Sequence, residues 1–328
     1  MTERVPQVVV AGAGGMGALF GAVLHSGGLP VTLYDENAEH VAAIVANGLR
    51  ISGFGGERVV DIPATGDPKS IAHADIVLFQ CKSHGTRAAA RSVHHLVEGG
   101  AVAISFQNGL GNEEVLGEVL GEANVLGGLT TMAGLMLGPG HVRDFSRVPS
   151  YIGELGGGVS DRATRIASTL TAGGLETHAS VAIVREIWNK LIGNIAMSAV
   201  SGATDLTSAQ ALAVPALRET SLRALDEAVN VAHACGIEID REAALKGMET
   251  ISVPGGTGDN KSSLCVDLLH RRPSEVDFIY GTVIARARER GVPTPTLETL
   301  SSIVKGIESH YMNMDSSSMD PRPGPPAG

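Results

Sequence analysis

Aromatic residues make up only 3% of the 328-residue chain, with one Trp, four Tyr and six Phe. A core must therefore be assembled from Ala, Val, Leu and Ile, and a 43% hydrophobic content is ample for it. Cysteine is nearly absent too. Cys81, Cys235 and Cys265 are odd in number, far apart and in no CxxC pattern, which excludes a disulfide framework or a zinc site of that kind. Cys81 precedes Lys82, yet a buried, inert thiol is the simpler reading. The 11 histidines include the pair His94–His95 but no HExxH spacing, so no metal is expected. A basic excess is also missing: 25 Lys and Arg against 35 Asp and Glu give a net charge of -10. Nucleic-acid binding needs a basic face, so nucleic acid is not an expected partner. No apolar run reaches the roughly 18 residues of a membrane span. The start, "MTERVPQVVVAGAGG", lacks a basic segment followed by a signal-peptide apolar core. A cytoplasmic protein without a membrane partner is expected.

What the chain has in quantity is length and glycine. It is long enough for two domains, each with its own core. "QVVVA", "PVTLYD", "ADIVLFQCK" and "AVAISFQNG" read as strands, and helical patterns stand between them at "GAGGMGALFGAVLHSGG", "AEHVAAIVANG" and "GTRAAARSVHHLVEGG". "LRISGFGGERVVDIPATGD" suggests short strands around a glycine turn. After the helix "NEEVLGEVLG", "ANVLGGLTTMAGLML" reads as a strand region and "HVRDFSRVPSYIGEL" as an antiparallel pair. This alternation predicts an α/β Rossmann-type doubly wound sheet. From about residue 161 the pattern turns helical, with a long helix at 181–200 and others at 215–235, 240–250, 262–270, 274–290 and 296–310. The expected domains are a dinucleotide-binding unit over residues 1–180 and an all-helical substrate and dimerisation unit over 181–311. "MDSSSMDPRPGPPAG" ends a tail, residues 312–328, expected to be disordered.

Two sets of residues point to chemistry. Gly12, Gly14 and Gly17 match G-x-G-x-x-G between a strand and a helix; Gly15 and Met16 lie inside the motif and count with its phosphate-binding residues. The first glycine allows a tight turn, the second a close approach of pyrophosphate, and the third close helix packing. Asp35 follows 23 positions after Gly12, where a carboxylate binds the ribose 2′-hydroxyl. Glu36 comes next, and no Lys or Arg appears until Arg50, so NAD(H) is favoured, with NADP(H) left open for an Arg from elsewhere in the fold. The simpler reading makes Asp35 the cap of a helix starting near Ala38. Lys82 and Asn108 each follow a strand and fall where the carboxyl ends of parallel strands line a ligand crevice. Singly they read as a surface lysine and an Asn-Gly turn; their shared placement favours a functional role. The second set lies in "EIWNKLIGNIAMSAV". Lys190 and Asn194 are four apart on a mostly apolar helix, hence on one face, where a charge needs partners. An ammonium there can protonate the alkoxide left when hydride reaches the carbonyl of a 2-oxo acid, and an asparagine one turn away can orient it.

"GAGGMG", "CKSHGT", "FQNGLGNEE", "WNKLIGN" and "NKSSLCVDLLHRRPSEVDFIYG", in this order over residues 7 to about 310, resemble the ketopantoate reductase (2-dehydropantoate 2-reductase) family. The resemblance implies that Lys190 is the catalytic lysine, that Asn194 contacts it and the substrate, that Lys82 and Asn108 sit on the cofactor side with Asn108 also facing the substrate, and that Glu275 completes the polar network. It places Asn260 and Ser263 on the substrate carboxylate or hydroxyl; a capping role before an apolar helix is the alternative for Ser263. That family usually has a second asparagine and a proline where this chain has Ser198 and Ala199. Ser198 still offers a hydrogen-bonding side chain to the substrate, but a shorter one. The family usually takes NADPH, so the acidic Asp35–Glu36 pair is a second departure. Rival readings are an NAD-dependent 2-hydroxy-acid dehydrogenase of the same family acting on a branched or aromatic acid, and a non-catalytic dinucleotide sensor. The latter leaves Lys190, Asn194, Ser263 and Glu275 without a purpose. A homodimer is compatible with the apolar helical part.

Overall fold

The computed structural model describes residues 4–312. Its centre is the strand β1 (Val8–Ala11), every residue of which is buried. Val8 and Val10 point into one hydrophobic cluster, Val9 and Ala11 into another on the opposite face of the sheet. A strand covered on both faces reads as an unbroken apolar run, and "VVVA" is one. In register around it run β2 (Val31–Tyr34) and β6 (Ile76–Phe79), both parallel to it. The further strands are β3 (Leu49–Gly53), β4 (Arg58–Val60), β5 (Ala64–Thr65), β7 (Val102–Ser105), β8 (Val125–Thr130), β9 (Ala133–Gly138), β10 (His141–Ser146), β11 (Ser150–Gly153) and β12 (Thr177–Ala179). The main sheet has the order β12-β11-β8-β7-β6-β1-β2-β5 among the described residues. It is parallel from β5 to β8, and β11 joins β8 antiparallel. Helices α1 (Gly15–Ser26), α2 (Ala38–Asn47), α3 (Thr86–Ser92), α4 (His94–Glu98), α5 (Asn112–Leu120) and α6 (Asp161–Ala172) complete this doubly wound unit.

A second sheet, β4-β3-β10-β9, departs from the expectation. The antiparallel pair expected in "HVRDFSRVPSYIGEL" does not form. Its first half, β10, pairs with β9 and with the distant β3, whereas β11 closes onto the main sheet. Both strands are anchored by burial: Val142 of β10 and Ile152 of β11 belong to one hydrophobic cluster that also holds residues of α1, each reaching it from its own sheet. The single strand region expected before it is likewise two strands in two sheets, and the single helix expected after "CKSHGT" is interrupted at the buried Val93.

The helical part contains α7 (Ile183–Thr204), α8 (Ser208–Ala213), α9 (Pro215–Ala234), α10 (Arg241–Ile251), α11 (Ser263–Leu269), α12 (Thr282–Arg290) and α13 (Pro295–Met312). The expected helix over 274–290 starts as a π-helical turn, Asp277–Gly281. Helix α8 lies outside the expected helical segments, although "TSAQ" carries its signal: Thr207 and Gln210 form a reciprocal capping box. The chain forms two compact units, divided in sequence between Leu191 and Ile192 inside α7 rather than at the residue 180 expected from the pattern change. No helix among the described residues is long and apolar enough to cross a membrane. Met312 closes α13, and the rest of the expected tail lies outside the described residues.

Candidate active site

The glycine motif is built by close approach. Gly12 has φ +95, and a Cβ there would strike the backbone of Cys81 at the end of β6. A Cβ on Gly17 would strike the carbonyl of Gly12, so helix and turn touch at that point. Gly14, the N-cap of α1, differs: nothing lies within 4 Å of the place its Cβ would take. The start of α1 thus has open space beside its N-cap, where a helix leaves its first N–H groups without partners in the ladder, and no acidic residue occupies its first turn. A dinucleotide pyrophosphate fits this cradle. Gly15 is closed on its other side, with the Gly134 carbonyl and Met136 nitrogen of β9 2.9 Å from where a Cβ would stand.

Ala13, between the first two glycines, is held from both sides. Its N–H donates to Asp35 Oδ2 at 2.6 Å, and its carbonyl lies 2.8 Å from Nε2 of the buried His40. His40 Nδ1 accepts from the Gly140 N–H at 3.0 Å, which requires the proton on Nε2. The second sheet thus reaches the nucleotide loop through one imidazole. Asp35 Oδ1 also accepts from the Asn37 N–H at 2.9 Å. Asn37, not Asp35, caps α2, so the capping alternative for Asp35 fails. His40 was not singled out in the sequence; its signal was a lone histidine on the inner face of "AEHVAAIVANG".

At the strand ends, Lys82 follows β6 as an exposed residue opening a short turn, and Asn108 follows β7 half-buried. The carbonyl of Asn108 accepts from Ser83 Oγ at 3.1 Å and from Asn112 Nδ2 at 2.9 Å. Asn112 also accepts from Thr86 Oγ1 at 2.9 Å, and Gln107 Nε2 donates to Thr86 Oγ1 at 2.7 Å and to the Cys81 carbonyl at 2.8 Å. Ser83, Thr86, Gln107 and Asn112 are all buried. Fixed in this way, Asn108 presents Oδ1 to Lys190 Nζ at 2.8 Å. The structure therefore joins two of the predicted residues directly, and the half-buried ammonium has an amide oxygen to donate to.

Asn194 follows Lys190 by one turn of α7 and is half-buried; Ser198, one turn further, is buried. Within the second unit the segment before α11 is sewn to α7 at this point. Ser262 Oγ donates to the Ser198 carbonyl at 3.3 Å and accepts from the Cys265 N–H at 3.1 Å, while the Ser262 N–H donates to Ser201 Oγ at 3.4 Å. Ser262 is thus the N-cap of α11, and the capping alternative for Ser263 falls; Ser263 is the first helical residue, with its side chain exposed. Asn260 is exposed as well, its carbonyl taken by the Ser208 N–H at 3.3 Å, and Glu275 is buried. Among the described residues no group of three or more His, Cys, Asp or Glu is placed to hold a metal ion.

The sequence model described as ketopantoate reductase PanE/ApbA matches residues 8–157, and that of the family's C-terminal part matches residues 182–308. The chain belongs to the ketopantoate reductase family. A 2-dehydropantoate 2-reductase of Halobacterium salinarum is 32% identical over 91% of this chain and 98% of its own length. One of Archaeoglobus fulgidus is 30% identical over 93% and 99%. Among solved structures, a D-mandelate dehydrogenase bound to NADH and anilino(oxo)acetate superposes with a TM-score of 0.89 at 26% identity, covering 93% of this chain and 99% of that one. A PanE/ApbA family ketopantoate reductase from Ralstonia eutropha superposes with a TM-score of 0.86 at 28% identity, with the same coverage. The chain is accordingly a ketopantoate reductase-family oxidoreductase that uses a nicotinamide cofactor. Removing Asn112 tests the support of Asn108. Asn112→Ala strips partners from the buried Ser83 and Thr86 hydroxyls, and urea unfolding should register a loss of about 1–3 kcal/mol. An unchanged midpoint would mean that the network carries no weight.

Proposed function

We propose that this chain reduces a 2-oxo acid of the ketopantoate type to the 2-hydroxy acid with NADH as the preferred donor. The hydrogen bond from Lys190 to Asn108 carries the reading, because it aims an ammonium at the carboxyl ends of the parallel strands. When bound, the nicotinamide supplies hydride to the carbonyl carbon. Lys190 donates a proton to the oxygen as negative charge develops there, and Asn108 holds its Nζ in place for that transfer. Asn194 orients the same oxygen. Ser263 and Asn260 bind the carboxylate end, and Glu275 belongs with the catalytic residues. The Gly12–Gly17 turn holds the pyrophosphate, and Lys82 lies on the cofactor side.

The preference for NADH rests on Asp35. Its carboxylate accepts from the loop and from Asn37 at the end of β2, the position of the adenosine ribose in this fold. A 2′-phosphate there would meet like charge. Two unit charges about 4 Å apart interact by roughly 1–4 kcal/mol, or about one to three powers of ten in affinity. A second reading, a dehydrogenase for branched or aromatic 2-hydroxy acids, draws on Ser198, which is shorter than the asparagine usual in the family and leaves more room. It also draws on the D-mandelate dehydrogenase likeness.

Three measurements decide. NADH oxidation with ketopantoate, branched and aromatic 2-oxo acids separates the two readings, and no turnover with any of them refutes both. Lys190→Ala should lower kcat by a factor on the order of 10²–10⁴ while NADH binding holds steady; a kcat within about threefold of wild type, only about 0.6 kcal/mol, removes the lysine from the mechanism. The ratio of kcat/KM for NADH over NADPH should exceed one and shrink in Asp35→Ala. Because the variant loses its bond to Ala13 with either cofactor, that shared loss cancels in the ratio. A wild-type preference for NADPH would refute the assignment.

A further inference from the structure

Helix α7 has an anomaly that begins five residues after its lysine. In a regular α-helix the Ala199 N–H donates to the Ile195 carbonyl. Here the hydroxyl of Tyr280, reaching in from the π-helical turn Asp277–Gly281, serves both groups: it donates to the Ile195 carbonyl at 2.6 Å and accepts from the Ala199 N–H at 3.0 Å. Tyr280 is fully buried, and burial pushes its phenol well above the ordinary range, so it remains a donor and an acceptor at once. A side chain that enters the ladder bends or widens a helix at that rung. The rung runs alongside Asn194 and Ser198, the two residues below Lys190 on the same face.

We propose that Tyr280 is a positioning residue that holds this rung of α7 open, and thereby sets the spacing of Asn194 and Ser198 that the 2-oxo acid meets. The proposal rests on the reading that these two residues face substrate. A proline at position 199 would have no N–H and would open the rung by itself. Alanine keeps the N–H, and Tyr280 occupies it. The two devices exclude one another, since a proline ring at 199 would take the space of the phenol oxygen.

The test is a cycle of three variants. Tyr280→Phe frees the Ala199 N–H to close on Ile195, and KM for the best 2-oxo acid should rise at least about fivefold, with kcat and NADH affinity within about twofold. Ala199→Pro alone should also raise KM, through collision with the phenol. The double variant, with the hydroxyl gone and the rung opened by proline, should return KM to within about twofold of wild type. Such coupling between contacting residues is read directly from the cycle. A merely structural tyrosine would lower the melting temperature and leave KM alone; an unchanged KM in Tyr280→Phe, or a double variant no better than it, overturns the proposal. Should wild type reduce no 2-oxo acid, the functional reading fails separately. A crystal structure of Tyr280→Phe then decides: an Ile195 carbonyl to Ala199 nitrogen distance closing to about 3 Å supports the held rung, and unchanged backbone overturns it.

Discussion

A half-buried ammonium must have an acceptor, and Asn108 supplies one to Lys190. That requirement reaches far into the first unit. Asn108 can hold its side chain still only if its backbone is still, and Ser83 and Asn112 hold that backbone by its carbonyl. They in turn lean on Thr86, Gln107 and the turn after β6. Two neighbouring parallel strands thus end in one sealed polar knot whose single outward product is an amide oxygen in front of a lysine. Buried networks of this kind are costly when incomplete and rigid when complete.

The nucleotide loop follows a similar logic with different chemistry. Glycine gives the turn its reach, but it also removes the side chains that would keep it in shape. Asp35 and His40 supply that restraint from outside by seizing the two sides of Ala13. The same His40 accepts from Gly140, so the hairpin of β9 and β10 helps to hold a loop that lies far from it in the sequence.

Much of this was legible in the sequence where local pattern and chemistry coincide. The buried run "VVVA", the glycine spacing, Asp35, and the four-residue step from Lys190 to Asn194 could be read directly, because periodicity and turn chemistry are local. The second sheet could not. Its pairing of Arg50 with His141 spans a long stretch of chain, and short strands carry too little periodicity to announce distant partners. In "NKSS" the cap is Ser262 rather than Ser263, because the Ser262 hydroxyl is the one that accepts from the Cys265 N–H, a one-residue difference that the local pattern does not resolve. The supports of Asn108 were invisible for the same reason. Ser83, Thr86, Gln107 and Asn112 are ordinary turn and helix-start residues until the strands bring them together.

The three glycines of the motif differ in how selection can see them. Gly12 and Gly17 are enforced by the fold, since a side chain at either meets backbone. Gly14 has an extended conformation with φ -61 that any residue adopts, and empty space beside it. A lineage that lost the need for a cofactor could therefore drift at Gly14 without harm to its folding, while the outer two glycines persisted. In a collection of descendants, a side chain at the middle glycine between two intact neighbours would be the mark of a member that has kept the architecture and given up the chemistry.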